Sequence, residues 1–251
     1  SERGAEELTR EDLISLSVLS RDCDRYEDLV TYMSRVVNDF PQELNVQERD
    51  LLFLGFKNLV GVKRQALFTL DMINQKEKKA RRGGQSPIVE SYYSQVREKV
   101  MSQCREIISL LEIYLLTNAK DKLALVQYMK VLGDYSRYLA ELAQGEEKEE
   151  ASEKAIKAYE AAQNLALKFS KAHPIRLSLS LNQAVFYYDV VGNVDTACSL
   201  TRDALNGAIS EMERLPQEQV KEASVLMQLL RDNLTLWTYE LPDEELIAKI
   251  Q

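Results

Sequence analysis

The chain has 251 residues, of which 45% are hydrophobic and 29% charged, and this profile is typical of a soluble globular protein with a sizeable core. Its 32 basic and 40 acidic side chains give a net charge of −8. That balance argues against a nucleic-acid-binding protein, because contacts with phosphate backbones need a basic face. Glycine (9) and proline (5) are scarce, which favours long helices over strands joined by tight turns.

Apolar residues recur at three- and four-residue steps along almost the whole chain, and this spacing predicts an all-α protein of about nine antiparallel helices. The helices are expected at about 9–22, 26–39, 46–79, 88–116, 121–143, 151–169, 174–191, 194–213 and 217–238. The run KEKKARRGGQSP combines charges, two glycines and Ser-Pro, and predicts an exposed loop at about 77–88. GEEKEE (Gly145–Glu150) is either a solvated connector or the first turn of the next helix.

Helical pairs joined by short connectors stack into a curved array with one concave face. We therefore expect a single domain over residues 1–238, followed by a tail at 239–251. The tail has an amphipathic pattern at Leu246, Ile247 and Ile250. It is either a solvated end of the chain or a segment that packs on a groove and competes with ligands.

Nothing in the chain predicts an enzyme, a metal site or a cofactor. His173 is the only histidine and lies at a predicted helix start, which favours a capping or loop residue over a catalytic one. Phosphate-cradling loops and nucleophile motifs are absent from the sequence. Cys23, Cys104 and Cys198 are far apart, as expected of reduced thiols in a cytoplasmic protein. No run is apolar enough to be a leader or to span a membrane.

Four helix faces carry side chains that could recognise a ligand. Two cations, Lys57 and Arg64, share a face of the third helix. The others are Lys130, Asp134, Arg137 and Tyr138 on the fifth helix, Leu181, Asn182, Val185 and Asp189 on the seventh, and Leu226, Leu229, Asn233, Leu236 and Trp237 on the last. Taken singly, each face is also explained by surface charges, a helix-face ion pair or ordinary core.

Four segments resemble the most distinctive parts of 14-3-3 proteins: FKNLVGVKR (56–64), GDYSRYLAE (133–141), HPIRLSLSLNQAVFYYDV (173–190) and MQLLRDNLTLW (227–237). The likeness covers residues 9 to 238 in the same order. It implies nine helices in a cup-like array, an amphipathic groove on the concave face, and pairing of two protomers into a dimer.

The resemblance also implies a role for each of these side chains. Lys57, Arg64, Arg137 and Tyr138 would bind the phosphate of a phosphoserine or phosphothreonine, since guanidinium forks, an ammonium and a phenol are suitable donors. Asn182 and Asn233 would bond the main chain of an extended peptide. Lys130, Asp134 and Asp189 would lie beside the pocket, with the two carboxylates bracing its cations. Leu181, Val185, Leu226, Leu229, Leu236 and Trp237 would form an apolar wall.

Some positions depart from the family pattern. Phe68 stands where a basic residue is usual, one turn beyond Arg64, and Asp189 stands where a glutamate is usual. Leu16, Leu19 and Tyr92 match an apolar dimer interface, and Arg25 and Asp28 match positions that form ion pairs between subunits. Lys99 and Gln95 are aligned opposite that pair and do not complement it, so the resemblance predicts a homodimer, or a heterodimer, of reduced stability.

The sequence thus predicts an adaptor that holds phosphorylated segments of client proteins, without cofactor, nucleic acid or membrane. The alternative is a TPR-like helical scaffold that binds partners whether or not they are phosphorylated.

Overall fold

The computed structural model describes residues 8–80 and 87–239, with side chains at all of these positions except 78–80. These residues form nine helices and no strand, as the sequence predicts. The helices are α1 (Arg10–Asp22), α2 (Tyr26–Asp39), α3 (Val46–Ala80), α4 (Pro87–Leu110, continued by Leu111–Leu115 and Leu116–Asn118), α5 (Lys122–Leu142), α6 (Gly145–Ala166), α7 (Pro174–Phe186, continued by Tyr187–Val191), α8 (Val194–Glu211, continued by Met212–Arg214) and α9 (Gln217–Tyr239).

Several helices begin at side chains that satisfy the free N–H groups of the first turn. Thr9 and Asp12 form a reciprocal capping box at the start of α1. Asp121 accepts bonds from two backbone N–H groups of α5. His173 caps α7 and is followed by Pro174, whose missing N–H costs nothing in a first turn. These residues explain why the predicted starts of the three helices lie within about one residue of the observed ones.

The structure differs from the sequence-based boundaries at α6 and within two other helices. GEEKEE belongs to the helix, which begins at Gly145 with a φ of 57°, and Glu146 and Glu147 suit the positive end of the helix dipole. A π-helical turn ends α7 at Tyr187–Val191 and closes on Gly192, whose φ is 73°. A second π-helical turn lies at Leu111–Leu115 in α4. Apolar periodicity does not reveal such single wide turns.

The chain divides into two compact units with the boundary between Lys120 and Asp121. In the first unit, each of α1 to α4 packs against its neighbour in sequence, and α1 also packs against α3. Arg10 at the start of α1 donates two bonds, of 2.8 and 2.7 Å, to the carboxylate of the buried Glu48 on α3. This bidentate pair fixes the first turn of α1 on α3.

The second unit consists of α5 to α9. Each helix packs against the next in sequence, and α7 also packs against α5 and α9. Small residues let α5, α6 and α7 approach closely around Tyr159 and Phe186, both fully buried. A second apolar cluster joins α7, α8 and α9 around Leu177, Met227 and Leu230. Consecutive helices linked by short connectors run antiparallel, as expected.

Some of the predicted features involve residues outside 8–80 and 87–239. The tail residues Leu246, Ile247 and Ile250 lie outside the described residues, as does the middle of the predicted loop, 81–86. The prediction of a single domain over 1–238 stays a prediction. Among the described helices, none combines the length and the apolar character needed to cross a membrane.

Candidate functional site

A buried carboxylate on α5 is the centre of a polar network in the second unit. Asp134 accepts a 2.7 Å bond at Oδ2 from the ammonium of Lys130, one turn earlier on the same helix. Its Oδ1 accepts two bonds of 2.8 Å, from the phenol of Tyr159 on α6 and from the amide of Asn182 on α7. One carboxylate therefore ties three helices together and orients both a cation and an amide.

The phenol of Tyr159 is a permanent donor in this network. Burial of the ring, followed by the charge of Asp134, raises its pKa well above the usual value of 10, so the hydroxyl stays protonated. Gly133 makes room for the ring, because a Cβ at this position would lie 2.6 Å from Cε1 of Tyr159. The glycine is therefore required by the close packing of α5 on α6.

Arg137 lies one turn from Asp134 but has a different partner. Its guanidinium donates a 2.6 Å bond to Oε1 of Glu141, and it lies over the ring of Tyr138, 4.5 Å from the ring centre. The residue is buried, and within the described part of the chain its Nε–H has no hydrogen-bond partner. The carboxylate of Glu141 balances a charge that burial would otherwise make costly.

The second unit also contains the predicted amides and apolar wall. Asn182 on α7 and Asn233 on α9 are both half-buried. Leu229 and Leu236 are exposed on α9, whereas Trp237 is only 3% exposed and stacks on Tyr188 with ring centres 4.9 Å apart. The remaining predicted wall residues, Leu181, Val185 and Leu226, are half-buried, and Asp189 is exposed. Trp237 is thus mainly a core residue, and the accessible apolar surface of α9 comes from its leucines.

In the first unit, the two predicted phosphate ligands lie on α3. Seven residues separate Lys57 from Arg64, so their Cα–Cβ directions differ by about 20° around the helix axis. Lys57 is exposed and Arg64 is half-buried. Between them lies Gly61, where an added Cβ would have no atom within 4 Å. This cationic face is therefore open, in contrast to the enclosed network around Asp134.

The residues predicted to form a dimer interface also lie in the first unit. Leu19 and Tyr92 are exposed large hydrophobic residues, and Leu16 is half-buried. Arg25 donates to Asp28 within the same chain. Gln95 and Lys99 are both exposed on α4. Leu19 and Tyr92 therefore expose apolar side chains, and the charged pair at Arg25 and Asp28 is already satisfied within the protomer.

Three residues of this site were not singled out by the sequence analysis. Glu141 follows Arg137 by four residues, a spacing that would have suggested an ion pair. Gly133 is a lone glycine inside a strong helical pattern, which is a recognised sign of close packing. Tyr159 had no such signal, because only the fold brings it to Asp134. Among the described residues, no group of three or more histidine, cysteine or acidic side chains could hold a metal ion.

Fold and site together define an all-α protein of antiparallel helices with clustered, carboxylate-braced cations. A family model described as 14-3-3 protein matches residues 16–238. The chain is 40% identical to 14-3-3-like protein GF14-A of Oryza sativa subsp. japonica, over 94% of this chain and 91% of the relative. It is 40% identical to 14-3-3-like protein D of Nicotiana tabacum, over 95% of this chain and 97% of that one.

A third relative, 14-3-3 protein 2 of Entamoeba histolytica, is 36% identical over 94% of this chain and 99% of its own length. The chain therefore belongs to the 14-3-3 family. Proteins of this family are adaptors, rather than enzymes, that bind phosphoserine and phosphothreonine in client proteins and that dimerise.

Proposed function

We propose that this chain is a cytoplasmic adaptor without catalytic activity, and that Lys57, Arg64, Arg137 and Tyr138 bind the phosphate of an extended phosphopeptide. The observation that carries the proposal is the state of Arg137. A buried guanidinium that is hydrogen-bonded to one carboxylate and keeps an unsatisfied Nε–H favours the arrival of another anion. A phosphate carries about two negative charges and three acceptor oxygens, so it competes well with Glu141 for this cation.

Lys130 and Asp134 support the pocket without contacting the phosphate. The bond from Lys130 to Asp134 keeps that ammonium beside the site, and the carboxylate lowers the cost of gathering several cations in one place. In this proposal Asp134 braces the cations beside the pocket, and Glu141 balances Arg137 before a phosphate arrives. We expect Asp189 to have a similar role on α7.

The main chain of the peptide would be held by the two amides. Asp134 occupies one of the two N–H donors of Asn182 and fixes the orientation of the side chain. The other N–H and the carbonyl oxygen are suited to a peptide backbone, whose own groups are the same in every client. Asn233 lies between the exposed Leu229 and Leu236 on α9, so that helix offers an amide within an apolar stripe. Together these residues would accept many sequences in one register.

One titration series tests the proposal. Isothermal calorimetry would compare a phosphoserine peptide with its unphosphorylated form on the wild type, Arg64→Ala, Arg137→Ala and the control Arg105→Ala, which removes an exposed arginine of α4. We expect phosphorylation to strengthen binding by about 100-fold or more, because two charge-assisted bonds each contribute about 1.5–3 kcal/mol. Arg64→Ala and Arg137→Ala should remove most of that difference.

The result also separates the two candidate functions. Equal affinity for both peptides would contradict the proposal and favour a scaffold that ignores phosphorylation. Circular dichroism would check that each variant, Arg137→Ala above all, is folded. Arg64→Ala tests the same loss of phosphate dependence at a half-buried position in the first unit.

We further propose that two protomers associate through the apolar surface of Leu16, Leu19 and Tyr92, as a homodimer of reduced stability that also permits heterodimers. Arg25 and Asp28 satisfy each other, and an ion pair this exposed contributes little because water screens it. Sedimentation velocity across a dilution series should show dissociation at micromolar concentration. A dimer that persists at nanomolar concentration would contradict the predicted weakness.

A further inference from the structure

An apolar surface continues the cationic face of α3 beyond Arg64. Phe68 is 62% exposed and Met72 is 43% exposed. Four residues separate Arg64 from Phe68 and four more lead to Met72, so each lies one turn further along and about 40° around the helix. A phenylalanine ring so exposed on a helix face loses the free energy that burial would give.

The polar neighbours leave this surface accessible. Asp71 lies on the same side of α3, and its carboxylate accepts a 2.9 Å bond from the amide of Gln75. Gly61, one turn before Gln65 and two turns before Phe68, has no side chain and no close neighbours. From Lys57 to Met72 the face therefore changes from two cations, with bare backbone at Gly61 between them, to the apolar pair Phe68 and Met72.

We propose that Phe68 and Met72 select clients with an apolar side chain about two to four residues from the phosphorylated residue. The inference rests on the proposed function, because it takes Arg64 as the anchor of the phosphate. It assigns to this chain a class of clients, phosphopeptides with a nearby apolar side chain, that the phosphate-binding residues alone do not define.

The spacing follows from the geometry of helix and strand. Phe68 and Met72 lie about 6 and 12 Å beyond Arg64 along the helix axis, at 1.5 Å per residue. An extended peptide advances about 3.3 Å per residue, so those distances correspond to about two and four residues. Side chains two and four residues from the phosphoresidue also point to the same side of an extended chain as the phosphate.

The shape of the surface favours a peptide over a second copy of the chain. A stable protein interface buries about 800 Å² on each partner, which needs a broad patch. Phe68 and Met72 form a stripe only two residues long, with Asp71 and Gln75 beside it. Such a stripe is matched by one or two side chains of an extended segment.

The experiment uses phosphoserine peptides that differ at a single site. One series carries Ala, Leu or Arg two residues before the phosphoserine, and another carries them two residues after it. Each peptide is titrated into the full chain as wild type, Phe68→Ala and Phe68→Arg. Val62→Ala is the matched control, because Val62 is 70% exposed on the same helix but about 120° away from Phe68.

We expect Leu to bind about 10-fold more tightly than Ala at one of the two sites, as burial of one aliphatic side chain allows. That ratio should fall to about one in Phe68→Ala, stay unchanged in Val62→Ala, and fall to one or below in Phe68→Arg, which should also weaken the Arg peptide by charge repulsion. A wild type that does not prefer Leu at either site, or a preference that survives Phe68→Ala, would overturn the inference.

Failure of the inference is distinct from failure of the proposed function. Arg64→Ala should weaken every phosphopeptide by a similar factor and leave the Leu-to-Ala ratio intact, whereas Phe68→Ala should change the ratio and keep the dependence on phosphate. Loss of phosphate dependence in the wild type would refute the function itself. If Phe68→Ala changes only the sedimentation of the protein and not the ratio, the stripe binds a second copy and the inference is wrong.

Discussion

The polar network around Asp134 in the second unit is enclosed, whereas the cationic face of α3 in the first unit is open. Around Asp134, a carboxylate, an ammonium, a phenol and an amide satisfy one another among α5, α6 and α7. On α3, Lys57 and Phe68 are exposed, and the space over Gly61 is empty. Binding residues in the enclosed network therefore also determine stability, while those on the open face can change with little effect on the fold.

The largest expected difference between the two regions comes from Asp134→Ala. The side chain of Lys130 is only 17% exposed, so the substitution leaves a largely buried cation and the Tyr159 phenol without their acceptor. We expect a loss of about 3–5 kcal/mol in the free energy of unfolding, as for other broken buried pairs. Urea titration followed by circular dichroism measures it.

The matched control is Phe68→Ala on the open face, where the free energy of unfolding should change by no more than about 0.5 kcal/mol. Equal losses for the two variants would show that the contrast between the regions is wrong.

Alanine substitutions at two glycines test the same contrast between the two regions, because they should change the free energy of unfolding in opposite directions. In Gly133→Ala the new methyl group would lie 2.6 Å from the fully buried Tyr159 ring, which has no room to move. Overpacking should cost about 1–3 kcal/mol, more than the gain in helix propensity. In Gly61→Ala the methyl group meets open space, so the better helix former should stabilise by about 0.5–1 kcal/mol.

Thermal unfolding of both variants shows directly whether each substitution raises or lowers the Tm. A stabilised Gly133→Ala would mean that α5 and α6 separate easily, and that the tight contact is not needed to hold Tyr159 against Asp134.

Sequence reasoning predicted the helices correctly because they depend on local patterns, and the same patterns supplied most of the candidate binding side chains, whose roles stay predictions. Thr9, Asp121 and Pro174 mark helix starts by their own chemistry, and the three- and four-residue steps place Lys130, Asp134 and Arg137 on one face. The family resemblance then linked faces that periodicity alone left separate.

The parts that sequence reasoning missed depend on contacts between helices. Tyr159 is an unremarkable aromatic residue until α6 packs on α5, and the burial of Trp237 against Tyr188 follows from how α9 meets the π-helical end of α7. Glutamates in GEEKEE are compatible with either a connector or a helix, and the structure places them in the first turns of α6.

A small, pH-dependent effect is expected at His173, which caps the helix that brings Asn182 to Asp134. Its Nδ1 accepts a 3.1 Å bond from the backbone N–H of Ile175, so the cap needs a neutral imidazole. Partial burial lowers the pKa of His173 from 6.5, although the charge of Glu222 opposes the shift. Since the folded pKa is the lower one, the stabilisation is complete above about pH 6.5 and is lost as the pH falls through the folded value.

We expect the cap to contribute about 1 kcal/mol, measured as the difference in unfolding free energy between wild type and His173→Ala at pH 7.5. That difference should shrink toward pH 5.5. His173→Asn keeps an acceptor that does not titrate, so it should be more stable than the wild type at pH 5.5 and close to it at pH 7.5. A pH-independent gap between wild type and His173→Asn would show that the imidazole does not cap α7, and that the geometry of Asn182 depends on the Asp134 network alone.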